Sequence, residues 1–275
     1  MEQKKIAVIL PLYKKDNPIW FHESIDSLLT QTYSNIKVFI GVDGPIGEEL
    51  ESAIGKYEGN DKIQIVKFAE NRGLACVLND LLDICFEKGY EYIARMDADD
   101  ISLPDRFEKQ LAFMEVHPEI DVVGGAIIRV DENNIGDKVS PRPLTPEACR
   151  KWFARATPMA HPAVMFRKSF FDKAGCKYRP EYRTNQDTLL WFDGLKKNVQ
   201  MANLEDVVLR FRMSKDLMKT RRAGYPRAKK QLVDRLMINK ELGYSRKDNL
   251  YAYCVFLSMI SPAWVRSLAY TLFKK

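Results

Sequence analysis

The chain has 275 residues, 46% apolar and 29% charged, with 14 Gly, 13 Pro and a formal charge of +6. These proportions exclude a collagen, a disordered tail protein and a small disulfide scaffold, and the length suits one large domain, alone or with an appendage, burying about 70 to 75% of its unfolded surface. The charge is uneven: residues 215–275 carry 14 Lys and Arg against 4 Asp and Glu, a net +10, which leaves −4 on residues 1–214.

Met1 to Lys5 leads into an apolar run, Ile6 to Leu10, too short for a signal peptide and without a small-residue cleavage site. Its β-branched content and the following Pro11 suit a buried parallel strand. From Pro18 to Thr32 the apolar residues Ile19, Trp20, Ile25, Leu28 and Leu29 recur at helical spacing, and Ile36 to Val42 reads as a second strand. The alternation continues with a helix at Glu48 to Tyr57, a strand at Ile63 to Phe68, a helix from Leu74 to Lys88 and a strand at Tyr92 to Met96. It predicts an α/β fold with a parallel sheet and helices on both faces. Ser102, with Asp105 three positions on, is expected to cap a helix through Phe107, Leu111, Phe113 and Met114 that Pro118 stops. Ile120 to Val130 reads as a strand, Lys138 to Pro146 as a proline-rich loop, Ala163 to Arg167 as a strand, Thr188 to Lys197 as a helix and Val207 to Arg212 as a strand. All that follows Met213 is expected to be basic and helical. Five cysteines, Cys76, Cys85, Cys149, Cys176 and Cys254, never form a C-x-x-C pair, which argues against a zinc ribbon or an extracellular disulfide framework and for a reducing compartment.

The most informative stretch is Arg95-Met96-Asp97-Ala98-Asp99-Asp100, where an apolar strand runs into three carboxylates. In open α/β sheets, ligands sit beyond the carboxyl ends of the strands. Extended alternation would put Asp97 and Asp99 on one side, where they repel unless a cation or protons intervene. Hard oxygen donors of this kind select Mg2+ or Mn2+, with phosphate oxygens completing the shell. An acidic turn capping the next helix is the competing reading. Two other strand ends supply Tyr13, whose ring can stack on a base, and Asp43, whose carboxylate can accept from a uracil N–H or a ribose hydroxyl. Neither G-x-G-x-x-G nor G-x-x-x-x-G-K-[ST] occurs, which disfavours dinucleotide-binding dehydrogenases and P-loop NTPases.

Pro11-Leu12-Tyr13, Val42-Asp43-Gly44, Asn71-Arg72-Gly73-Leu74-Ala75 with Asn79, and above all Ala94 to Arg106 resemble glycosyltransferase family 2, in order from Ile6 to about Arg212. The resemblance implies a GT-A fold, with a Rossmann-like, mostly parallel sheet flanked by helices. It divides the chain into a catalytic domain, residues 1–212, with a nucleotide-sugar half to about 100 and an acceptor half beyond, and a basic helical tail, residues 213–275. It implies an inverting transfer from a UDP-sugar. Pro11, Tyr13, Asp43 and Arg72 would line the nucleoside pocket, and Asn79 and Ala98 would join the donor site. Asp97 would meet the ribose or the metal's water shell, and Asp99 would bind Mn2+ or Mg2+ directly.

An inverting transfer also needs a base for the acceptor hydroxyl. In the family this is the Asp of a Glu-Asp pair before a helix bearing Leu-Trp, and the matching segment here, Thr184-Asn185-Gln186-Asp187-Thr188-Leu189-Leu190-Trp191, assigns it to Asp187. Gln186 replaces the usual Glu, which should ease the upward pressure on the Asp187 pKa; a helix N-cap is the competing reading of Asp187. Lys14 and Ser214 also depart from residues common in the family. His161 resembles a family segment near the acceptor and is expected to be structural. The Q-x-x-R-W signature of processive members is missing, so transfer of a single sugar is expected.

The tail joins aromatic residues, Tyr251, Tyr253, Phe256, Trp264 and Tyr270, to the cations Arg221, Arg222, Arg227, Lys229 and Lys230, a combination suited to a membrane surface. Its uncharged run, Leu250 to Val265, contains Pro262 and falls short of a span. Packing on the catalytic domain is the competing role. The expectation is a cytoplasmic hexosyltransferase, peripheral on the inner face of the bacterial membrane, that acts on a lipid-linked saccharide in surface-polysaccharide synthesis and binds no nucleic acid. A sugar nucleotidyltransferase, which would need a glycine-rich loop near Tyr13-Lys14-Lys15-Asp16, and a non-catalytic basic module are the alternatives.

Overall fold

A computed structural model of the protein describes residues 3–213 and 225–261, so Ser214, Arg221, Arg222, Trp264 and Tyr270 lie outside the described residues. Strand β1 (Ile6–Leu12) is apolar throughout because both of its faces are covered. Ile6, Val8, Leu10 and Leu12 enter one core, while Ala7 and Ile9 enter the other, the period of two expected of a strand. β1 pairs in parallel with β2 (Ile36–Val42) and β4 (Tyr92–Arg95), and β2 pairs with β3 (Ile63–Lys67). Helices α1 (Pro18–Leu29) and α2 (Glu48–Gly55) cover the first face, and α3 (Leu74–Glu87) covers the second. The Asn17 side chain caps α1 by accepting from the Ile19 and Trp20 amides, with Pro18 at the first helical position.

The second half is mixed. β5 (Ile101–Ser102), β6 (Val122–Val130), β7 (Lys138–Ser140), β8 (Met165–Arg167) and β9 (Met201–Arg212) complete one sheet of order β3-β2-β1-β4-β8-β6-β9-β5, with β7 on β6. β6 and β9 run parallel, whereas β8 is antiparallel to both β4 and β6. The order reverses beside β1 and β4, the kind of switch point where α/β sheets bind ligands.

Several expectations need correction. Ser102 does not cap a helix: it lies in β5, Ile101 pairs with Arg210, and its amide donates to Ser27 Oγ at 3.0 Å. α4 (Arg106–Val116) starts four residues later, after Asp105, which makes no side-chain cap bond. The stretch from Lys138 to Pro146 is not all loop, since β7 extends the sheet from Ile127, Ile128 and Arg129. Two short helices escaped the periodicity: α5 (Pro146–Phe153), capped by Thr145, and α6 (Ser169–Ala174). α7 (Gln186–Lys196) begins two residues earlier than expected, after Asn185 in a left-handed conformation, so Asp187 sits in the first turn and is not the N-cap. Beyond β9, α8 (Tyr225–Glu241) and α9 (Arg246–Ile260) carry the described part of the tail.

Candidate active site

The carboxyl ends of β1, β2 and β4 open on a cavity of about 490 Å³. Pro11, Leu12 and Tyr13 come from β1 and its exit, Asp43 from the end of β2, and Arg95, Asp97, Ala98 and Asp99 from the end of β4. Residues 183–185 ahead of α7, Gln186 at its start and Arg227 of α8 also line it. Of the sequence-predicted residues, Pro11, Tyr13, Asp43, Asp97, Ala98 and Asp99 thus meet around one space.

Asp43 is buried, and its two carboxylate oxygens accept from the amides of Arg72 at 2.8 Å and Gly73 at 2.9 Å. Each oxygen keeps a second lone pair for a ligand N–H. The same contacts hold the start of α3, a 14-residue helix whose N-cap Gly73 and first residues Leu74 and Val77 line the cavity, where the helix N-terminus favours an anion. Two predicted residues are turned away from the lining. The Arg72 guanidinium pairs with Asp80 and lies over the Phe68 ring, so only its amide serves the site. The Asn79 amide is spent on the Tyr178 backbone, donating to its carbonyl at 2.8 Å and accepting from its N–H at 2.9 Å.

The acidic segment is a turn rather than extended chain. Met96 N–H still donates to the Ile9 carbonyl, but the ladder ends at Arg95. Ser24 of α1 donates to the Asp97 carbonyl at 3.0 Å. From the other side, the Arg212 amide donates to Asp100 Oδ1 and its Nε to the Asp99 carbonyl, both at 2.9 Å, while its guanidinium also pairs with Glu23. Asp97, Asp99 and Asp100 each present one oxygen in a group whose members lie within 4.8 Å of one another. Asp97 and Asp99 face the cavity, and Asp100 is fully buried with Oδ2 lacking a hydrogen-bond partner. Burial, then the charges of Asp99 and Asp97, push the Asp100 carboxyl well above its ordinary value. Three converging carboxylates, with one oxygen of Asp100 left without a partner, fit Mg2+ or Mn2+.

Asp187 follows the lining residues Thr184, Asn185 and Gln186 and is half-buried in the first turn of α7. Burial raises its carboxyl above the ordinary value, against the opposing pull of the Thr188 amide and of Arg95. The pressure that Gln186 was expected to ease therefore comes from desolvation, not from a neighbouring carboxylate. His161 lies outside the lining; its Nε2 meets the Tyr178 hydroxyl at 2.7 Å, and burial followed by the Arg95 charge pushes its pKa well down.

Sequence reasoning missed Arg95, Arg183 and Arg212, and it gave Arg227 to the membrane surface whereas that residue lines the cavity. For Arg95 a signal existed, a cation as the last residue of an apolar strand directly before the carboxylates; for the others the link is purely spatial.

Residues 7–175 match the family described as Glycosyl transferase family 2. The chain belongs to that family. This family 2 glycosyltransferase is 31% identical to the amylovoran biosynthesis glycosyltransferase AmsE of Erwinia amylovora over 96% of its own length and 97% of the relative's. It is 29% identical to the UDP-Gal:alpha-D-GlcNAc-diphosphoundecaprenol beta-1,3-galactosyltransferase of Escherichia coli, over 79% of this chain and 77% of that protein. Among solved structures, the mannosyltransferase PcManGT of Pyrobaculum calidifontis, in complex with GDP-Man and Mn2+, superposes with a TM-score of 0.63 at 16% identity, covering 98% of this chain and 80% of that one. The shared architecture is the GT-A fold.

Proposed function

We propose that the protein moves a single hexose from a UDP-sugar to a hydroxyl of a saccharide carried on undecaprenyl diphosphate, with inversion at the anomeric carbon, in the synthesis of a bacterial surface polysaccharide. The observation that carries this reading is the convergence of Asp97, Asp99 and Asp100 at the switch point of the sheet, in the same cavity as Asp43 and Tyr13. The donor and acceptor classes are supported by the name of the Escherichia coli relative, and a biosynthetic role by that of the Erwinia amylovora relative.

Asp43 accepts from the uracil N–H, Tyr13 and Pro11 cover the base, and Asp97 reaches the ribose. Asp99, with Asp97, would hold Mn2+ or Mg2+. When bound, that cation offsets the diphosphate charge and stabilises the departing UDP. Asp187 takes the proton of the acceptor hydroxyl as its oxygen bonds to the anomeric carbon and the bond to UDP breaks on the opposite face. The protein would work in the cytoplasm, on the inner face of the membrane, with its tail against the lipid that carries the acceptor.

The test is UDP release from UDP-hexose in the presence of Mn2+ and a lipid-diphosphate saccharide. Asp99→Ala and Asp187→Asn should each lose on the order of 100-fold or more in kcat. Asp99→Ala should also lose Mn2+-dependent UDP binding, which Asp187→Asn keeps. Wild-type turnover in both variants would sink the assignment.

A further inference from the structure

The loop that leads into α7 is held from the tail. Asn185 stands at the N-cap of α7 in a left-handed conformation, φ 62° and ψ 22°, and its side chain makes no cap bond. An N-cap residue is ordinarily extended, with its side-chain oxygen accepting from the second or third amide of the helix. Asn17, Thr145 and Ser245 do this ahead of α1, α5 and α9. Asn185 instead donates from Nδ2 to Asp234 Oδ2 of α8 at 3.3 Å, and Asp234 is only 7% exposed. Asn tolerates the left-handed region better than most residues, but any residue with a Cβ holds it only where the surroundings impose it.

One stripe of α8 carries the other contacts with this loop. Arg227, Lys230 and Asp234 recur at spacings of three and four. Arg227 lines the cavity with Arg183, Thr184 and Asn185, and Lys230 Nζ lies 4.2 Å from the centre of the Tyr182 ring. Farther along, Ile238 enters the core and Arg235 donates to the Phe153 carbonyl, so α8 is anchored on the catalytic body and gives the loop a fixed reference.

The effect reaches Asp187, two residues after Asn185. Its carboxylate accepts from its own amide and from the amide and hydroxyl of Thr188. Those two amides are the second and third of α7, the donors that an ordinary N-cap side chain takes. An Asn185 released from Asp234 would be free to cap α7 and compete for them. Resting on the assignment of Asp187 as base, we infer that Asp234 is a positioning residue for the transfer: it holds Asn185 in the non-capping conformation, which leaves the first amides of α7 to the Asp187 carboxylate and fixes where that carboxylate points.

Arg95 at the end of β4, Tyr178 ahead of α7 and Arg235 of α8 face Asp187, and all three stay when Asp234 is replaced. Burial raises the Asp187 carboxyl and the two amides draw it down, so losing them moves the acid limb of the rate up in pH. Loss of the Asp234 negative charge by itself would move the limb down, so the direction separates the two effects.

The experiment follows kcat against pH for UDP release by the full-length protein with Mn2+, UDP-hexose and a lipid-diphosphate saccharide, with circular dichroism to report the fold of each variant. Asp234→Ala should lose about tenfold in kcat at neutral pH, keep UDP affinity within about threefold by calorimetry, and move the acid limb up by about half a pH unit or more. Asn185→Ser removes the amide that reaches Asp234 and supplies an ordinary N-cap, so it should move the limb the same way, and it covers the case in which Asp234→Ala fails to fold. In an Asn185→Gly background, where a positive φ carries no Cβ penalty and no side chain can cap, Asp234→Ala should change kcat and the limb no further. A limb at its wild-type position in folded Asp234→Ala or Asn185→Ser overturns the inference. So does an undiminished effect of Asp234→Ala in the glycine background, which would mean that Asp234 only supports the packing of α8. If wild type releases no UDP, or if Asp187→Asn matches wild type, the base reading itself fails and this inference fails with it.

Discussion

Burial raises the carboxyl of Asp187 while Arg95 and the Thr188 amide hold it partly down, so its charge depends on pH above the range of an exposed aspartate. A base must be deprotonated to accept a proton. The rate should therefore fall as pH falls through this raised value, and the acid limb of kcat against pH should lie above the ordinary aspartate range. In Asp187→Asn the residual rate should lose that limb, and the folded protein should gain stability at neutral pH, because a raised native carboxyl pKa disfavours the ionised native state. A pH–rate series with a parallel melting series checks both; an acid limb unchanged in Asp187→Asn would remove Asp187 from the base role. The places of these carboxylates in the chain, though not their roles, were legible because each sits in a short local pattern. Asp97 and Asp99 follow an apolar strand, and Asp187 precedes Leu189-Leu190-Trp191. Arg212 was not legible as a support of the acidic turn, since it meets Asp100 across 112 residues of chain. Arg72 and Asn79 were read as donor ligands from their neighbours in sequence, but Asp80 and Tyr178 occupy their side chains.

Long elements covered on both faces or along one stripe announce themselves, which is why β1, β2, α3 and β4 stand close to where the apolar pattern placed them. α6 has six residues, too few for a helical period to register, and β5 has two, held by β9 and α1 rather than by its own sequence. The turn after β2 links an element to the site. Gly44 has φ +80°, and a Cβ there would come within 2.5 Å of the Asn71 amide nitrogen, in the segment whose next two amides bind Asp43. Gly44→Ala should cost about 1 to 3 kcal/mol from the backbone conformation alone. The clash should also shift the segment and weaken UDP binding at least tenfold. Gly59→Ala supplies the control, since Gly59 has φ +83° and open space around its missing Cβ. It should lower the melting temperature and leave UDP affinity unchanged. If Gly44→Ala binds UDP as tightly as Gly59→Ala does, the coupling between this turn and the nucleoside pocket is wrong.

The two charge regions of the chain are joined in space. Ile238 of α8 is buried in the core on the α3 face, Arg227 lines the cavity, and Lys196 pairs with Glu241 at 2.9 Å. α9 is fastened at its start by the Ser245–Asp248 capping box and by the Arg155–Asp248 ion pair at 3.0 Å. One stripe of α9 is nevertheless bare: Leu250, Tyr253, Leu257 and Ile260 are 65%, 47%, 57% and 42% exposed, at spacings of three and four that place them on one helix face. Among the described residues no helix is long and apolar enough to cross a membrane. An exposed apolar stripe in a region of net +10 suits insertion into the headgroup layer of an anionic bilayer. Burial of each leucine contributes about 1.5 to 3 kcal/mol, and each cation near the surface about 1 kcal/mol. The protein should therefore sediment with phosphatidylglycerol vesicles, bind phosphatidylcholine vesicles far less, and be released from the anionic vesicles by high salt. Leu250→Glu with Leu257→Glu should weaken vesicle binding more than tenfold while leaving turnover on a short, water-soluble acceptor at the wild-type rate. Equal sedimentation of the double variant would mean that the stripe does not meet the lipid. A parallel loss of soluble turnover would mean instead that α9 supports the catalytic body through its packing and that the membrane is not its partner.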